Sequence, residues 1–86
     1  MNITYGRKFK KMFKKQPKYI QNKFEDKIII FTKNIYSPSL RNHSLSGEWT
    51  GYKSIDITGD TRACFEDLGD NNFEFVAIGS HSELYS

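Results

Sequence analysis

The chain has 86 residues, room for one small hydrophobic core and too little for two, so a single domain over residues 1–86 is predicted. Only 37% of the residues are hydrophobic, yet aromatics reach 15%, and their large burial per side chain makes a modest aromatic-rich core the expectation. The net charge is +3 and Cys64 is the single cysteine; an internal disulfide and a Cys-based zinc site are excluded, no apolar run nears the roughly 18 residues of a membrane span or forms a secretory leader, and a soluble cytoplasmic protein is predicted.

The net charge conceals an asymmetry. Residues 1–42 hold eleven Lys or Arg against Glu25 and Asp26, a net of +9, whereas residues 43–86 hold Lys53 and Arg62 against eight acids, a net of −6. Arg7, Lys8, Lys10, Lys11, Lys14 and Lys15 form one basic cluster. A solvated helix face accounts for such a run, and so does a surface for a polyanion, either nucleic acid or an acidic protein segment.

Asn2 to Tyr5 has the length of a short strand, closed by Gly6. From Arg7 to Lys15 the apolar positions are Phe9, Met12 and Phe13, at i, i+3 and i+4, which predicts a basic amphipathic helix. Pro17 stops it and suits the start of a second helix. Ile20, Phe24, Ile28, Phe31 and Ile35 then recur at helical spacing on one face, ahead of the breaker Ser37-Pro38-Ser39. Beyond Leu40 the period falls to two, in runs from Trp49 to Thr58, Arg62 to Leu68 and Phe73 to Ile78, with Gly, Asp and Asn clusters between them. Three such runs predict an antiparallel meander. Trp49, Tyr52, Phe65 and Phe75 are expected in the core, and Cys64 as a small buried hydrophobe. Two helices followed by a sheet make the fold class α+β, with two N-terminal helices packed on a small, twisted, mainly antiparallel sheet.

Phosphate loops, metal-ligand spacings and nucleophile elbows are absent from the sequence, so neither a metal nor another cofactor is predicted. The polar residues with chemical potential gather near strand ends: His43, Asp56, Asp60, Arg62, His81, Glu83 and Tyr85. Beside a basic helical half, two imidazoles, an acid, a guanidinium and a phenol compose a set suited to metal-free RNA cleavage.

Two blocks carry a resemblance. His43-Ser44-Leu45-Ser46-Gly47-Glu48-Trp49-Thr50-Gly51-Tyr52-Lys53 and Ile78-Gly79-Ser80-His81-Ser82-Glu83-Leu84-Tyr85, with Asp60 and Arg62 between them, resemble the YafQ branch of the RelE-type toxins of bacterial toxin–antitoxin systems. The pattern there is His-x-Leu-x-Gly-x-Trp-x-Gly-Tyr-Arg, followed by a Gly-Thr/Ser-His-Ser-Glu-Leu-Phe/Tyr ending. The resemblance implies a toxin that cleaves mRNA in the ribosomal A site without metal, with a cognate antitoxin, the ribosome and mRNA as partners and no membrane. It implies a proton-transfer role for His81 and a second site role for His43. Asp60 becomes a base or the partner that holds an imidazole tautomer, Arg62 a phosphate ligand, and Tyr85 an aromatic that stacks on a base or orients the scissile nucleotide. The six residues from Arg7 to Lys15 would hold ribosomal RNA. Two departures stand out: Asp56 replaces a His of close relatives and Lys53 replaces an Arg, which implies weakened or redistributed activity. The alternative within the same superfold is a non-enzymatic member, either a topoisomerase-directed toxin of the ParE kind or an antitoxin-binding module.

Overall fold

The computed structural model describes residues 1–85. Strand β1 (Asn2–Tyr5) leads into helix α1 (Arg7–Lys15) and helix α2 (Lys18–Lys33). A 3-10 turn over Pro38–Leu40 precedes the two-residue strand β2 (His43–Ser44), and a second 3-10 turn over Gly47–Trp49 precedes β3 (Lys53–Asp56). Strands β4 (Thr61–Gly69) and β5 (Asn72–Ser80) form a hairpin, and helix α3 (His81–Tyr85) follows without a break. The five strands lie in the order β1-β5-β4-β3-β2, antiparallel except for the parallel β1–β5 pair. The expected architecture is therefore present, with β2 and α3 in addition.

Each helix forms where its apolar period is strongest. In α1, Phe9 is buried and Met12 and Phe13 are half-buried, while every Lys and Arg of the helix is exposed. Lys14 and Lys15 occupy its last turn, where cations complement the helix dipole. The Gln21 amide donates to the carbonyls of Phe13 (3.1 Å) and Gln16 (3.2 Å), satisfying acceptors that the end of α1 leaves open. Ile28, Ile29 and Ile30 stay helical despite their β-branching, because Ile20, Phe24 and Phe31 of the same helix bury one face against the sheet. Phe31, Phe65 and Phe75 are fully buried, and the Phe31 ring meets Phe65, Phe73 and Phe75 edge-on at 5.1, 5.3 and 5.4 Å.

The long meander strand expected from Trp49 to Thr58 is only four residues long. Gly47 and Gly51 have φ of +64° and +96°, conformations open to glycine, so the chain turns twice around Trp49 before β3 begins. Trp49 is accordingly half-buried on the turn and not in a strand. Strict alternation also fails in β5. Cys64 pairs with Ala77 but Phe65 pairs with Phe75, so β5 carries one extra residue at this point. The bulge lets Phe73, Phe75 and Ile78 all reach the helix-side core, while Ala77 joins Cys64 and Leu84 in a second cluster. The β4–β5 turn behaves as its composition predicts: Asp70 and Asn71 are both left-handed, at φ 51° and 63°, as a two-residue hairpin loop requires.

Period two within β3 and β4 sorts the rest. Ile55, Ile57, Ala63 and Phe65 belong to the helix-side core, so Ser54, Asp56, Arg62 and Cys64 fall on the opposite face. That face is where α3 and the Trp49 turn settle, through Leu84, Tyr85 and Trp49 on Cys64 and Ala77.

Candidate functional site

An open cleft of about 420 Å³ is lined by Arg41, His43, Asp56, Arg62, His81 and Tyr85, with Leu45 and Ser46 beside them. Five of the seven residues singled out from the sequence therefore meet in one place, with Glu83 outside it. Asp60 does not line it. It is exposed in the β3–β4 turn, and its backbone carbonyl accepts the His81 N–H at 3.2 Å.

His81 and Tyr85 arrive together because α3 begins at His81. Ser80 is its N-cap: Ser80 Oγ accepts the Glu83 N–H at 3.2 Å, and the Glu83 carboxylate accepts the Ser80 N–H at 2.7 Å. This reciprocal capping box nucleates a helix of only five residues at the end of a strand. One helical turn then places Tyr85 four residues after His81 on the same side, with ring centroids 4.7 Å apart. Crowding at Gly79 protects the arrangement, since an added Cβ would lie 3.1 Å from a Glu83 carboxylate oxygen and 3.4 Å from the Met12 methyl. Ser80→Ala removes the cap oxygen and is expected to cost about 1 kcal/mol of α3 docking. Trp49, whose ring lies 6.0 Å from Tyr85, reports it: its emission should shift to the red while the far-ultraviolet dichroism of the sheet persists.

His43 is exposed on β2, opposite Ser54 of β3. Its Nδ1 is 2.8 Å from the Arg41 carbonyl, which only accepts, so Nδ1 carries a proton. In the neutral ring Nε2 is then the bare nitrogen, and it faces the buried Ser54 hydroxyl at 3.3 Å. His81 contrasts with it. It is exposed, and among the described residues its ring nitrogens make no hydrogen bond.

The Tyr85 hydroxyl lies 3.6 Å from Cys64 Sγ. Burial, and next the Cys64 thiol, push its pKa up to about 12, so the phenol keeps its proton at neutral pH and acts as a donor. Burial likewise raises the Cys64 thiol above its usual range, which keeps it an uncharged packing group.

Asp56 holds the floor of the cleft. One carboxylate oxygen takes Arg62 Nε at 2.9 Å and the other takes Arg41 Nε at 3.4 Å. Both oxygens of a mostly buried carboxylate are thus engaged by guanidinium groups. Sequence reasoning missed Arg41 and Ser54. Ser54 was within reach, because a strand through Asp56 puts the residue two positions earlier on the same face. Arg41 was not: it enters the cleft because the residue itself is left-handed, at φ 50° and ψ 48°, an unusual state for a side chain of its size.

The basic helix lies apart from most of this. Lys8 reaches over the Trp49 ring at 5.9 Å from its centroid. Lys10 and Lys14 instead border an apolar groove with Tyr5, Phe9, Phe13 and Phe24. Arg7, Lys11 and Lys15 are exposed. Among the described residues no group of three or more His, Cys, Asp or Glu is placed to hold a metal ion, and no helix is long and apolar enough to cross a membrane.

The fold is shared with solved toxins. YafQ from E. coli strain BL21(DE3) superposes with a TM-score of 0.83 at 22% identity, covering 99% of this chain and 98% of that one. YafQ in the E. coli DinJ–YafQ toxin–antitoxin complex gives 0.80 at 24% identity, covering 99% and 97%. The YoeB/ParE toxin from Agrobacterium tumefaciens gives 0.78 at 18% identity, covering 94% and 99%. No curated protein sequence matches the chain. The sequence pattern of YafQ, the bacterial toxin of type II toxin–antitoxin systems, nonetheless matches from residue 1 to residue 86, so the chain belongs to the YafQ family of toxins.

Proposed function

We propose that this toxin cleaves mRNA on the ribosome and is held inactive by a cognate antitoxin. The observation that supports the reading best is the convergence of two imidazoles, a phenol and two guanidiniums on one open cleft, on the sheet face away from the helical core. Cleavage of RNA through its own 2′-hydroxyl needs a proton acceptor for that hydroxyl, a donor for the departing 5′ oxygen, and cations or N–H groups around the phosphorus. His81, exposed and with ring nitrogens unengaged among the described residues, suits proton transfer. Tyr85 supplies a protonated hydroxyl and an aromatic face for a base. His43 is a second proton-carrying group, its tautomer set by the Arg41 carbonyl. Asp60, outside the cleft, acts in this scheme through its carbonyl, which positions His81.

An antitoxin partner follows from family membership and from the DinJ–YafQ complex, in which a relative is captured with its antitoxin. The six cations of α1 are the proposed contact to ribosomal RNA. Replacing Lys10, Lys11 and Lys14 with Glu should leave the fold intact, because all three are exposed. Ribosome affinity should fall, and the salt dependence of binding should flatten by about one log-log unit for each phosphate the variant no longer neutralises. Unchanged binding across a salt series would remove α1 from the interface. The direct test is incubation of the purified chain with ribosomes programmed with a defined mRNA, mapping the 3′ ends produced. Cuts confined to ribosome-bound message support the reading. No cut by a folded, ribosome-bound protein favours the non-enzymatic alternative.

A further inference from the structure

We propose that Arg41 is the phosphate ligand of this site, stored on Asp56 until an RNA phosphodiester takes its guanidinium, while Arg62 is a fixed clamp that keeps Asp56 in place. The proposal rests on the reading that the cleft receives RNA.

The two arginines share one carboxylate but not one situation. Arg62 is largely buried, with 20% of its side chain exposed. Its Nε is 2.9 Å from Asp56, and its Nη1 donates toward the carbonyls of Gly59 at 3.2 Å, Thr58 at 3.3 Å and Thr61 at 3.5 Å. Two of its three nitrogens are committed to closing the β3–β4 turn. Swinging Arg62 to a phosphate would strip those carbonyls and leave Asp56 without its short partner. Among the described residues Arg41 has no such ties: its side chain is 77% exposed, and its one ion pair there is the 3.4 Å contact to Asp56.

The Arg41 end of this pair lies in water and its contact is long, so the pair contributes little to stability and releasing it is easy. The exchange also leaves no orphan charge, because Asp56 stays bonded to Arg62 when Arg41 departs. A phosphodiester offers the guanidinium two anionic oxygens in place of one carboxylate oxygen, which matches its planar fork. Arg41 is also tied to the rest of the site through its backbone, since its carbonyl sets the His43 tautomer. A phosphate held by its side chain is therefore held by the residue that orients an imidazole of the same cleft. Asp56 is in this view the anion that occupies the phosphate ligand in the resting toxin.

The test uses the full chain. Arg41→Ala keeps the backbone carbonyl that His43 needs and removes only the guanidinium. It should lower single-turnover cleavage of ribosome-bound mRNA by about 10², with the thermal midpoint and ribosome binding unchanged; Arg41→Lys, charged but without the fork, should recover part of the loss. In parallel, a non-cleavable 2′-deoxy trinucleotide titrated into toxin labelled at arginine with 15N should move the Nε–H resonance of Arg41 and leave that of Arg62 in place. Full cleavage by Arg41→Ala, or movement of the Arg62 signal in place of the Arg41 signal, overturns the assignment. If the wild type itself does not cleave, the RNA-cleavage reading fails, and the arginine titration decides the phosphate assignment by itself.

Discussion

His81→Gln is expected to lower single-turnover cleavage of ribosome-bound mRNA by about 10² to 10⁴ while the toxin still folds and binds the ribosome. Glutamine has a comparable reach and hydrogen-bonding capacity but moves no proton near neutral pH. The position tolerates the change, because His81 is exposed and its structural contribution is the backbone N–H bonded to Asp60, which any residue but proline supplies. What the variant also loses is the edge-on contact with Tyr85. Tyr85→Phe separates that effect from proton transfer, since it keeps the ring and removes the phenol. A loss in His81→Gln well beyond that in Tyr85→Phe identifies the imidazole as the proton-transfer group. Equal rates in wild type and His81→Gln would take His81 out of the chemistry and leave His43 as the imidazole to test.

Helix periodicity was the most legible layer of the sequence, and for a physical reason. An apolar stripe at 3.6-residue spacing has few alternative meanings once it exceeds two turns, so α1 and α2 were readable nearly to their ends, with Ile35 lying just past the last turn. The sheet was readable in outline only. Trp49, Thr50 and Tyr52 look like strand residues, but the glycines at 47 and 51 hold positive φ and turn the chain there. The bulge at Val76 is invisible to any count of alternating residues, because it depends on which partner each residue meets across the hairpin. Helix α3 was in principle legible. Ser80-His81-Ser82-Glu83 has the spacing of a capping box, and recognising it would have predicted that His81 and Tyr85 share one helical face. For the site, residue types at strand ends identified His43, Arg62, His81 and Tyr85. The pairing of Asp56 with both arginines needed coordinates, since no local rule brings residue 41 beside residue 56.

Phe75→Ala is expected to destabilise the toxin by about 3 to 5 kcal/mol, a large part of what a domain of this size possesses. Phe75 is fully buried, and its ring lies 5.3 to 5.5 Å from those of Phe65, Phe31 and Phe24, so truncation opens a cavity that several rigid rings border and none can fill. The position matters to the site as well. Phe75 is the last residue before the bulge, paired with Phe65 on one side, while the next pair outward, Cys64 with Ala77, already belongs to the cluster that carries Leu84 and Tyr85. Loss of the ring thus removes the anchor that holds the register on which α3 depends. Phe75→Leu, with a smaller cavity, is expected to fold and to retain part of the activity, its thermal midpoint several degrees lower for each kcal/mol lost. Urea denaturation of both variants beside the wild type gives the comparison, with Trp49 emission reporting the α3 face and far-ultraviolet dichroism the whole fold. Coincident transitions show that the cleft and the core unfold as one unit. A Trp49 transition preceding the dichroism transition in Phe75→Leu alone would show that the bulge couples the core to the site more weakly than the shared strand implies.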